Sequence, residues 1–93
     1  MASIRNLKKE INHMTSEIVT EAYVRKMLFG SVSEEDFKNI ITNALNLRNE
    51  LIARVNNPDG KDDPKLVKSY FQAVRNDMRN KFSELVEAVN ELK

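Results

Sequence analysis

The one side chain in this sequence able to exchange a proton near neutral pH is His13, which lies in the string Glu10-Ile11-Asn12-His13. Glu-x-x-His is the spacing by which helical bundles set a carboxylate and an imidazole on one inner face to hold a pair of metal ions. Such a centre needs a second copy of the motif and two further inward carboxylates. This chain has a single histidine, which helical periodicity puts on the flank of its segment. A solvated histidine is the expectation, and no metal ligand is assigned.

Nucleophilic catalysis fares no better. Serine, histidine and acidic residues all occur, but His13 sits among Lys9, Glu10 and Glu17 with no glycine-rich turn nearby to supply oxyanion donors. Two glycines in the whole chain exclude a phosphate-cradling loop or a dinucleotide fingerprint. The absence of cysteine removes thiolate metal sites, cysteine nucleophiles and disulfides. Tyr70, Phe71 and Phe82 have the types of a ligand-stacking set, but their helical spacing on one apolar face makes them core residues. The expectation is a protein that is not an enzyme, with no catalytic residue, no cofactor and no small-molecule substrate.

The elements that carry these residues are legible from their boundaries. A first helix is expected over residues 4–29, with Ser3 as its N-cap and Gly30 stopping it. Ile4, Leu7, Ile11, Met14, Ile18 and Ala22 recur in steps of three and four, which at about 100° per residue is one narrow stripe. A second helix over 34–56 opens on Ser33, with Asp36 three residues on and Val32 placed to staple onto Phe37. Glu34, Glu35 and Asp36 set negative charge against the positive end of that helix. The stretch 56–63 combines Pro58, Gly60 and five Asn or Asp residues and reads as a loop. Asp63-Pro64 then gives the N-cap and first position of a third helix over 64–92, because proline has no amide to leave unpaired there.

Short connections force successive helices to run antiparallel. The fold class is therefore all-α, an up-down-up three-helix bundle forming a single domain over residues 1–93. Its expected core is Leu7, Ile11, Met14, Ile18, Ile40, Ala44, Leu51, Val55, Phe71, Val74, Met78, Phe82, Leu85 and Val89. With 41% hydrophobic and 31% charged residues, the chain is built to order itself and stay in solution. No segment approaches the ~20 apolar residues of a membrane span and none resembles a signal peptide, so a cytoplasmic location is expected.

Two surfaces remain. Val19, Tyr23 and Met27, spaced by four, form a second apolar strip on the first helix, well rotated from its core stripe and bordered by the small Ser16 and Thr20. An exposed strip of this kind marks a partner, and a homodimer or higher assembly burying it is the expectation, the alternative being that these residues lie under the turn at Gly30 or against the third helix. The other surface is the end of the bundle where Arg5, Lys8, Lys9, Arg54, Lys61, Lys65 and Lys68 gather, opposite a net acidic end. It is the basis of an alternative reading, weak association with nucleic acid. That reading lacks aromatic interleaving and a recognition helix, and the net charge of +1 supplies no global attraction to phosphates.

The strings Ile4-Arg5-Asn6-Leu7-Lys8-Lys9-Glu10-Ile11-Asn12 and Leu51-Ile52-Ala53-Arg54-Val55-Asn56 resemble small uncharacterised helical proteins of Bacteroidetes bacteria. The resemblance implies a helical bacterial protein and carries over no activity, cofactor or site residue. The function expected is a non-enzymatic protein-protein interaction or self-associating module.

Overall fold

A computed structural model describes residues 4–57 and 63–92, and these form three α-helices with no strand among the described residues. Helix α1 spans Ile4–Leu28, α2 Glu34–Asn56 and α3 Pro64–Asn90. The protein is an all-α three-helix bundle. It is a rod of 52 × 19 × 16 Å, so thin that one layer of side chains fills the space between the helices.

The helix starts follow the side chains that satisfy their free amides. The hydroxyl of Ser33 accepts from the amide of Asp36 at 2.9 Å, and Asp63 Oδ1 accepts from the amide of Lys65 at 2.9 Å with Pro64 at the first helical position. Val32, just before the Ser33 cap, is buried, and Phe37 packs against the same core. The expected cap Ser3 and most of the loop, residues 58–62, lie outside the described residues.

Two helix ends differ from expectation. Helix α1 stops at Leu28, one residue early, and the turn closes with the Phe29 carbonyl accepting from the amide of Val32 at 3.2 Å. Gly30 lies in that turn without adopting the left-handed conformation, and a Cβ there would meet no atom within 4 Å. The chain thus leaves the helix without needing glycine's freedom. Helix α3 ends at Asn90, two residues early: the Glu91 amide still reaches the Glu87 carbonyl, but the Leu92 amide takes the Val89 carbonyl three residues back at 3.0 Å and the Leu92 side chain folds into the core.

The core is built from the expected stripes. Leu7, Ile11, Ile18, Ile40, Ala44, Leu51, Val55, Val74, Met78, Phe82 and Val89 are buried, whereas Met14, Phe71 and Leu85 pack at its margin. Ala22, Val32 and Leu92 complete it at one end. Thr15 is buried with them, its hydroxyl donating to the Ile11 carbonyl at 2.8 Å, so the polar atom enters the core already partnered.

Helix α1 packs most extensively on α2, and α3 closes the third side. Arg48 Nε donates to Asn12 Oδ1 at 2.6 Å between α1 and α2, and Tyr70 Oη donates to the Arg54 carbonyl at 2.9 Å between α3 and the end of α2. Helices α1 and α3 therefore run in the same direction with α2 opposed to both.

Candidate functional site

His13 and Glu17 meet one helical turn apart, His13 Nε2 lying 3.1 Å from Glu17 Oε1, with both side chains about two-thirds exposed. That is a surface pair on the rim of an open groove of about 510 Å³ between α1 and α3, floored by Met14, Ile18, Phe82, Val86 and Val89. The floor is apolar, and Glu10 is exposed to solvent one turn before His13. Among the described residues no group of three or more histidine, cysteine or acidic side chains converges where a metal ion would sit.

The basic end is only partly as expected. Arg5, Lys9, Lys65 and Lys68 are exposed and Lys8 is half-buried, and none of the five makes an ion pair among the described residues. Lys61 lies outside the described residues. Arg54 differs from these in being paired: its guanidinium donates to Asp77 Oδ2 at 2.9 Å across the α2–α3 seam. Partial burial works against its charge, but the Asp77 carboxylate and the nearby Tyr70 hydroxyl outweigh that, and the guanidinium is held above its ordinary value. Arg54 is thus committed to joining α2 and α3. The pair also sets the Asp77 carboxylate beside the basic end.

The apolar strip divides along its length. Val19 is half-buried and packs against the chain's own core. Tyr23 stands edge-on to Phe37 of α2, with ring centroids 4.9 Å apart and planes at 77°, and remains 52% exposed. Met27 is 82% exposed. The apolar surface then continues beyond the strip to Leu28, 71% exposed, and to Val24 and Phe29, each about 40% exposed. In three dimensions the apolar surface is a patch at the end of the rod, with Tyr23 and Met27 on it and Val19 packed against the core instead.

Two basic residues beside this patch, absent from the sequence reading, hold the end together. Arg25 pairs with Glu21 at 3.0 Å and donates to the Asn90 and Leu92 carbonyls at 3.3 and 3.4 Å and to Asn90 Oδ1 at 3.2 Å. Lys26 Nζ donates to the Val32 carbonyl at 3.0 Å and pairs with Glu34 at 3.0 Å, which holds the Glu34 carboxyl below its ordinary value. The available signal was the pair of basic residues in the last turn of α1, where the carbonyl ends of two parallel helices converge.

No protein family, curated protein or solved structure matches this chain. No helix among the described residues is long and apolar enough to cross a membrane.

Proposed function

We propose that this chain is a non-enzymatic helical interaction module that associates with itself through the patch at the end of α1. One observation carries the reading. Among the described residues nine large hydrophobic side chains are exposed, and five of them, Tyr23, Val24, Met27, Leu28 and Phe29, fall within seven consecutive positions. Scattered apolar residues are ordinary on a protein surface, but a contiguous cluster favours burial against a partner. Each Å² removed from water contributes ~25 cal/mol before the costs of association.

The nucleic-acid alternative draws less support. Arg54 is spent on Asp77, and Tyr70 and Phe71, the rings nearest that end, stack edge-on at 5.8 Å and pack against the core. Free bases would find no open aromatic face there.

Met27→Lys tests the reading by light scattering at tens of micromolar protein. The parent chain is expected above monomer mass and the variant at monomer mass. A parent already monomeric, or a variant that keeps the assembled mass, removes this patch as the association surface.

A further inference from the structure

We propose that the patch is covered by the opposite, basic end of a second copy, so that the rods join head to tail. The inference rests on the self-association reading above and adds which surface of the second copy does the covering. The head of the rod is acidic: Glu34, Glu35 and Asp36 open α2 there and Glu84, Glu87 and Glu91 close α3. The two cations nearest the patch are already engaged, Arg25 with Glu21 and the end of α3, and Lys26 with Glu34. Two heads brought together would set these carboxylates against their own copies, an arrangement that costs free energy.

The tail carries the complement. Arg5, Lys9, Lys65 and Lys68 are exposed there, and so are two of the four large hydrophobics outside the head cluster, Ile4 at 45% and Leu66 at 56%. An acidic surface with an apolar centre thus stands at one end of the rod, and a basic surface with apolar side chains at the other. Pairing unlike ends matches both charge and hydrophobic area. Such a contact joins two different patches and leaves one of each free on the pair, so it does not close after two copies.

Two sets of variants test this. The head is blocked by Met27→Lys, and the tail by the double substitution Leu66→Ser with Lys68→Ser, both at exposed positions; helical circular dichroism checks that each still folds. The parent mass should rise continuously with concentration and fall as salt screens the charges. Each variant alone should be monomeric. An equimolar mixture should give twice the monomer mass and nothing larger, since one intact head then meets one intact tail. A tail variant that assembles like the parent would overturn the head-to-tail arrangement and leave self-association standing. A parent that is monomeric throughout would overturn both.

Discussion

The guanidinium of Arg25, in the last turn of α1, is bonded to both the backbone carbonyl and the side-chain oxygen of Asn90, the last residue of α3, at 3.3 and 3.2 Å. Since α1 and α3 run the same way, their carbonyl ends and the negative poles of their dipoles lie side by side. A planar, forked cation carried by α1 thus answers several acceptors at the end of α3 at once.

Removing that fork should loosen the end of α3. Arg25→Ala is expected to cost about 1–2 kcal/mol, the range for hydrogen bonds to a charged group near a helix end. Arg25→Lys should recover only part of it, because an ammonium cannot reproduce the bidentate geometry. Urea midpoints of the three proteins provide the comparison, and amide exchange should quicken first near residues 88–92.

Leu51 and Leu45 lie on one helix yet differ in exposure, 1% against 46%. Leu51→Ala should destabilise by ~2–5 kcal/mol through lost burial and a residual cavity. Leu45→Ala should stay within about 0.5 kcal/mol of the parent, as surface substitutions do. Equal thermal shifts for the two would mean that the core is misplaced.

Gly30 supplies a substitution expected to stabilise. Its backbone is outside the left-handed region and its Cβ position is open, so Gly30→Ala should restrict only the unfolded chain. A gain of about 0.4–1 kcal/mol is expected in chemical denaturation.

The pH dependence of the α1–α2 turn follows from Glu34. Its carboxyl is held below the ordinary 4.5, first by the hydrogen bond from Lys26 and then by the charge of that residue. A depressed folded-state value means the pairing stabilises fully above the unfolded-state value and is lost as pH falls below about 4.5 through the folded one. Glu34→Gln should therefore lower the urea midpoint at neutral pH, and the difference from the parent should vanish in acid.

How far the sequence carried the description depended on whether each signal was local. Ser33 and Asp63-Pro64 marked helix starts because a cap and the amide it serves lie within three residues. The core stripes were legible because periodicity alone decides which side faces inward. Thr15 escaped because its residue type counts as polar, although its hydroxyl is answered by Ile11 four residues earlier. Arg25, Lys26 and the Arg54–Asp77 pair escaped for the opposite reason: apart from Glu21, their partners are six to sixty-seven residues away and become neighbours only after the chain has turned back on itself. The same limit applied to the apolar strip. Spacing by four found Tyr23 and Met27, whereas the extension to Leu28 and Phe29 and the tucking of Val19 depend on where α2 turns back.

The two rings that settle against α2 at opposite ends of the rod have an optical consequence. The chain contains no tryptophan and only two tyrosines, Tyr23 against Phe37 and Tyr70 with its hydroxyl on the Arg54 carbonyl. Its tyrosine emission therefore comes from one fluorophore at each end. With Tyr70→Phe the remaining signal reports on the half-exposed Tyr23 alone, and with Tyr23→Phe on the hydrogen-bonded Tyr70 alone. Quenching by an added solute can then follow, end by end and without an attached dye, which extremity of the molecule becomes shielded.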